Sequence, residues 1–146
     1  MIKTNSVLPW SSTGGATVLV VEDDALVRQA VEILLKDHGF RVVTAVDGID
    51  GLRKFREVVP DVVLTDIIMP NKEGIALTME LRRERPEARI IVMSGGGRMG
   101  NSDYVTIATN LGADIGLRKP FDDEQLISAV RALLDRSAPS SVSTAA

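Results

Sequence analysis

The chain of 146 residues contains no cysteine and one histidine, His38. The missing thiols exclude a disulfide framework, a zinc ribbon and thiol catalysis. A single imidazole excludes a His cluster for a transition metal, so any catalytic base other than His38 has to be a carboxylate or an amine. An excess of positive charge is also missing: 17 basic side chains face 20 acidic ones, for a net charge of −3. That balance argues against a nucleic-acid surface, which draws its affinity from basic groups that displace counterions at phosphates. No apolar run approaches the roughly 18–20 residues that span a bilayer, and Met1 to Thr17 lack the apolar stretch of a signal peptide. What is present is a hydrophobic content of 45%, enough for a core in one domain. The expectation is a soluble, cytoplasmic globule with no nucleic-acid or membrane partner. Its chemistry has to rest mainly on carboxylates, hydroxyls and Lys, with or without a hard metal ion.

Both ends read as unstructured. Residues 1–16 mix Ser, Thr, Gly, Pro and a lone Trp10 without periodicity and predict a flexible arm. Residues 137–146 form a Ser/Ala tail of low complexity. Between them, 17–136 alternate between two patterns. Short continuous apolar runs at Thr17–Val21, Arg41–Ala45, Asp61–Thr65, Arg89–Ser94 and Ile115–Leu117 predict strands. Val18–Val21 and Ile90–Met93 are apolar at every position, as a parallel strand covered on both faces requires. Helical stripes fill the gaps: Leu26, Val27, Ala30, Val31, Leu34 and Leu35 after an Asp24 cap and before Gly39; Ile49, Leu52 and Phe55 before Pro60; Gly74, Leu77, Thr78 and Leu81 before Pro86. A further helix is expected from the Asn101–Asp103 caps to Leu111, and a last one from Asp122 or Asp123 with Leu126, Ile127, Val130, Leu133 and Leu134 as its stripe. Five β-α units predict an α/β fold, an open parallel sheet with five helices on its two faces.

In such a sheet, ligands bind outside the carboxyl ends of the strands. The first strand ends in Glu22-Asp23-Asp24, the third in Asp66, the fourth in Ser94 and the fifth in Arg118-Lys119-Pro120. Taken singly, each has a plain structural role: Asp24 as helix cap, Asp66 and Ser94 as turn formers, Lys119 as a solvated charge. Together they converge on one edge. Clustered carboxylates repel unless a cation binds, and an all-oxygen set selects Mg²⁺. An Asp within the cluster can act as a nucleophile toward a phosphoryl group. Lys119 and Ser94 can then offset charge on the transferring oxygens. His38, at a helix end before Gly39, reads as structural, a cation suited to the helix dipole.

The segments VLVVEDD, DVVLTDIIMP, IIVMSG and GLRKPF, in this order, resemble the receiver domain of bacterial two-component response regulators across about Thr17 to Arg136. The resemblance implies a flavodoxin-like, five-stranded sheet in order 2-1-3-4-5. It implies Asp66 as phosphoacceptor, Asp23 as a direct and Glu22 as a water-mediated Mg²⁺ ligand, with the backbone carbonyl of Ile68 as a further ligand. Ser94 matches the family's Thr/Ser that bonds the phosphoryl group, and Lys119 its Lys. Lys119–Pro120 matches a bond that is cis in the family. The implied donor is a histidine kinase or a histidine phosphotransfer protein. Phosphotransfer is self-catalysed in such domains, which are not counted as enzymes. The expected oligomeric state is a monomer or weak dimer. Only about ten residues follow the last predicted helix, which leads to the expectation of a stand-alone receiver whose output is contact with a downstream protein target. The alternatives are a relay intermediate that hands the group to a phosphotransfer His, and a degenerate scaffold.

Three departures from the family pattern stand out. The aromatic expected three residues before Lys119 is Gly116, with Tyr104 as a distant substitute. The loop Gly95–Gly100 is longer than the pattern and rich in permissive glycines, which predicts mobility. It matches G-x-G-x-x-G, but it follows the fourth strand, its caps come after the last glycine and no acid ends the next strand, so a dinucleotide site is not expected. A haloacid-dehalogenase-type phosphatase needs an Asp two residues after the nucleophile, where Ile68 stands. Ile68 and Gly96 also offer no polar side chain to orient a hydrolytic water. Self-dephosphorylation of the purified protein is therefore expected to be slow, with label persisting beyond minutes in a radiolabel chase; complete loss within seconds would contradict this.

Overall fold

Val18–Val21 is apolar at every position and fully buried. Its side chains divide by alternation. Val18 and Val20 join a cluster with Val31, Leu35, Leu126, Val130 and Leu133, while Leu19 and Val21 join Leu52, Phe55, Leu77 and Leu81. This is the strand period of two, with one hydrophobic layer on each face of the sheet. The computed structural model describes residues 15–67, 74–94, 106, 109–110 and 112–136. Its strands are β1 (Thr17–Val21), β2 (Arg41–Ala45), β3 (Val62–Asp66), β4 (Ile90–Ser94) and β5 (Ile115–Arg118). The helices are α1 (Ala25–Asp37), α2 (Gly48–Val58), α3 (Gly74–Glu84) and α4 (Asp123–Asp135). All strand pairs are parallel, in the order β2-β1-β3-β4-β5. The clusters place α1 and α4 on one face, α2 and α3 on the other. The expected five-stranded order is borne out. Of the helix expected over Asn101–Leu111, only Thr106, Thr109 and Asn110 are described, and they are helical. Among the described residues, no helix is long and apolar enough to cross a membrane.

The helices begin where side chains satisfy their free amides. Asp24 accepts from the N–H of Leu26 and Val27, and Asp47 from that of Asp50. Asp122 and Gln125 form a reciprocal capping box at the start of α4. At the other end of α1, His38 is the cap residue, with its Nδ1 3.0 Å from the Leu34 carbonyl, and Gly39 turns the chain at φ +91°. His38 thus lies at a helix end, as expected. α2 ends on Val59 in the left-handed region (φ +53°), just before Pro60.

Several expected boundaries and faces are corrected. β3 starts at Val62: the Asp61 carboxylate instead accepts the Thr17 N–H at 2.8 Å and ties β1 to the start of β3. β4 starts at Ile90; Arg89 just before it accepts the Val63 N–H on its carbonyl at 2.8 Å, while its side chain reaches the Leu133 carbonyl of α4. Leu26 and Ile49 belong to the apolar stripes of the sequence but are 78% and 60% exposed. Both lie in the first turn of their helices on the face away from the core, the core-facing side being taken by Val27 in α1 and by Gly48 and Gly51 in α2. Replacing Ile49 by Ser is expected to change stability by no more than about 0.5 kcal/mol. Phe55→Ala, in the same expected stripe but buried, is expected to cost about 3–5 kcal/mol. Urea midpoints of the two variants check the contrast.

Candidate functional site

Parallel pairing brings the carboxyl ends of β1, β3, β4 and β5 to one edge. β1 delivers Glu22 and Asp23, directly after its last residue. β3 ends on Asp66, opposite Met93, so Ser94 stands one residue further along the neighbouring strand. Ser94 in turn lies opposite Arg118, and its carbonyl accepts the Lys119 N–H at 2.8 Å. Each residue is set by strand register, so the constellation belongs to the sheet and not to a single loop.

Glu22, Asp66 and Ser94 are buried, whereas Asp23 is exposed. One carboxylate oxygen each from Glu22, Asp23 and Asp66 lie within 4.8 Å of one another. Lys119 Nζ donates to Glu22 Oε1 at 3.0 Å and stands 3.5 Å from Asp66 Oδ1. The Ile67 N–H donates to Asp66 Oδ1 at 3.0 Å. Burial, together with the Glu22 charge and against the pull of Lys119, pushes the Asp66 carboxyl up to about 6. Burial alone would lower the Lys119 ammonium, but the Asp66 and Glu22 carboxylates outweigh it and hold the ammonium above its ordinary value.

Three carboxylates against one ammonium leave the edge with excess negative charge. The donor set is all oxygen: the cluster of Glu22, Asp23 and Asp66 includes no imidazole or thiolate. It opens to solvent at Asp23 and is closed at Glu22. These properties fit a hard divalent cation that keeps part of its water shell, as Mg²⁺ does.

Of the residues expected at the site, Glu22, Asp23, Asp66, Ser94 and Lys119 come together. Ile68, the Gly95–Gly100 loop, Gly96 and Tyr104 lie outside the described residues. Lys119–Pro120 is cis. Gly116 is half-buried in β5, opposite Val92. Asp24 caps α1 and makes no part of the cluster.

Two residues escape a reading of the sequence as side-chain chemistry. A Cβ on Gly74 would fall 1.9 Å from the Asp66 carbonyl oxygen, and the Gly74 N–H donates to the Ile67 carbonyl. Only a glycine lets the start of α3 press against the backbone that carries Asp66. Arg28 Nη1 donates to the Glu22 carbonyl at 2.8 Å. Both act on backbone atoms, and no spacing of residue types signals such contacts.

Comparison with known proteins bears on this edge. Residues 18–131 match the family model described as response regulator receiver domain. The transcriptional regulatory protein CseB of Streptomyces coelicolor is 38% identical over 119 residues, 82% of this chain and 49% of the relative. The regulatory protein SphR of Synechococcus elongatus, named for alkaline phosphatase synthesis, is 33% identical over 90% of this chain and 54% of the relative. A receiver domain protein from Clostridium thermocellum superposes with a TM-score of 0.78 at 32% identity, covering 83% of this chain and 95% of that one. The chain spans about half the length of the curated relatives it matches. Their names as transcriptional regulators concern those longer proteins, and the charge argument against a nucleic-acid partner concerns this stretch alone.

The raised Asp66 carboxyl has a consequence for stability. Below the ordinary carboxylate value of about 4 it is protonated whether the chain is folded or not, and the folded state keeps its full stability. As pH rises through about 6, the folded chain ionises Asp66 against burial and that stability is lost. Asp66→Asn is therefore expected to be more stable than wild type by about 1–3 kcal/mol at pH 7.5, with the gain vanishing near pH 4. Urea denaturation at the two pH values checks it; a variant less stable at pH 7.5 would contradict the account.

Proposed function

Because this chain belongs to the response regulator receiver family, we propose that Asp66 accepts a phosphoryl group from a phosphohistidine on a partner protein. Residues 17–136 form the receiver unit in this reading. The observation that carries it is the buried Asp66 carboxylate clustered with Glu22 and Asp23 and facing the Lys119 ammonium, which also bonds Glu22.

In the transfer, an Asp66 carboxylate oxygen forms a bond to phosphorus while the bond from phosphorus to the donor's imidazole nitrogen breaks, and the electron pair of that bond stays with the imidazole. The product is an aspartyl phosphate. Asp66 has to be ionised to attack, and with its carboxyl near 6 most of it is ionised at neutral pH. Glu22, Asp23 and Asp66, with the Ile68 carbonyl as a further ligand, would hold Mg²⁺, which when bound supplies positive charge to the phosphoryl oxygens. Lys119 adds a second positive charge from the β5 side. The Ser94 hydroxyl donates to a phosphoryl oxygen and reports its arrival to β4.

The donor protein docks on the apolar groove beside the site. That groove has a volume of about 330 Å³ and is lined by Val27, Ala30, Val31 and Leu34 of α1 with Pro120 and Phe121 after β5; it reaches Lys119. Leu26 stands exposed on the same helix. Output passes by contact with a downstream protein. The apolar Ile68 and Gly96 favour a long-lived phosphoryl group and thus a second reading, relay of the group onward to a phosphotransfer His. The assembled acids and Lys119 speak against a degenerate scaffold.

Incubation with Mg²⁺ and acetyl phosphate, followed by intact mass measurement, tests the assignment. Wild type is expected to gain one phosphoryl group and Asp66→Asn none. Equal labelling of both would overturn it.

A further inference from the structure

Of the three carboxylates at the edge, two are fastened by side-chain contacts and one is not. Glu22 receives Lys119, and its Oε2 accepts the Asp24 N–H at 3.1 Å. Asp66 receives the Ile67 N–H and Lys119. The Asp23 carboxylate, exposed, makes no hydrogen bond or ion pair among the described residues. Its placement therefore depends on its backbone. That backbone lies in the β1–α1 turn, held at one end by Glu22 N–H on the Ala45 carbonyl and at the other by the Asp24 cap.

Between these two ends the turn is gripped by Arg28, one turn into α1. Its Nη1 lies 2.8 Å from the Glu22 carbonyl and 3.4 Å from that of Asp23. Its own N–H donates to the Asp24 carbonyl at 2.9 Å. Among the described residues the guanidinium makes no ion pair with a carboxylate. This distinguishes it from Lys119. A cation that bonded to Asp23 would compete for the oxygens a metal needs, whereas one that bonds to carbonyls fixes the chain and leaves those oxygens open.

We propose that Arg28 is a positioning residue for a divalent cation: it orders the Glu22–Asp23 backbone so that the Asp23 carboxylate is presented to the ion. The inference rests on the reading of Glu22, Asp23 and Asp66 as a cation site. Without Arg28, the ion has to order the turn itself, and binding weakens by the cost of that ordering. A purely electrostatic role predicts the opposite sign, because removing a positive charge from beside a cation site strengthens binding.

Titration calorimetry with MgCl₂ on the wild type, Arg28→Lys and Arg28→Ala tests this, with melts in metal-free buffer to show that each variant is folded. Arg28→Ala is expected to bind Mg²⁺ about tenfold more weakly than wild type. Arg28→Lys, which keeps the charge but loses the planar fork, is expected to fall between them. Equal or tighter binding by folded Arg28→Ala would overturn the proposal while leaving the cation site in place. If that variant does not fold, Arg28→Lys decides: weaker binding supports the proposal, equal or tighter binding overturns it. A wild type that binds no Mg²⁺ would remove the cation site and the proposal with it.

Discussion

Lys119 Nζ stands between Glu22 Oε1 and Asp66 Oδ1, at 3.0 and 3.5 Å, and the rest of the edge depends on this one ammonium between two buried carboxylates. Without it, two like charges would face each other out of contact with bulk water, a costly arrangement at low local dielectric. With it, the pair is held but not neutralised, since one ammonium faces two carboxylates, and Asp23 adds a third negative charge. The Asp66 carboxyl is pushed up to about 6 first by its burial, against the pull of Lys119, with the Glu22 charge adding to the rise. A site in this state has a standing affinity for further positive charge, and an ionised Asp66 there is poised to take up an electrophile. Stability and reactivity are linked through the same charges.

The sheet makes this arrangement possible by supplying each group from a different strand. Alternation along β1 and β3 sends side chains to two apolar layers, so the strands are buried on both faces and their polar residues collect at the ends. Glu22, Asp66 and Ser94 remain buried there because parallel register aligns the ends of β1, β3 and β4. The opposite end of the sheet is closed by side chains that bind main-chain groups. Asp61 takes the Thr17 N–H, and Arg82 reaches the carbonyls of Gly112 and Ala88 as well as Asp114. One end is therefore satisfied internally, while the other is left with charge to place.

Much of this was legible in the sequence, and the residues show why. Val18–Val21 and Ile90–Met93 are apolar at every position, which fixes both the strands and their burial. The polar residue after each strand marks the functional edge once the sheet is known to be parallel. Asp24, Asp122 and Gly39 mark helix ends because caps have side-chain signatures. Hydrophobicity does not translate into burial at Leu26 and Ile49, which sit in first turns whose core-facing side is taken by Val27 and by Gly48 and Gly51. Arg28 and Gly74 are not legible, because their partners are backbone atoms. Any residue can present a carbonyl, so no pattern of types reveals who grips it. Gly116 stands in β5 opposite Val92, where the family pattern has an aromatic ring.

If Asp66 is the phosphoacceptor, its own carboxylate becomes the acyl phosphate. Borohydride reduces an acyl phosphate to the alcohol, which turns a phosphorylated aspartate into homoserine and leaves free carboxylates untouched. Treatment of the phosphorylated protein with borohydride, followed by peptide mass spectrometry, reads this directly. Homoserine is expected at position 66 in place of aspartate, dependent on prior phosphorylation. Homoserine at another acidic position, or a stable phosphoryl group on a hydroxyl with Asp66 unchanged, would contradict it.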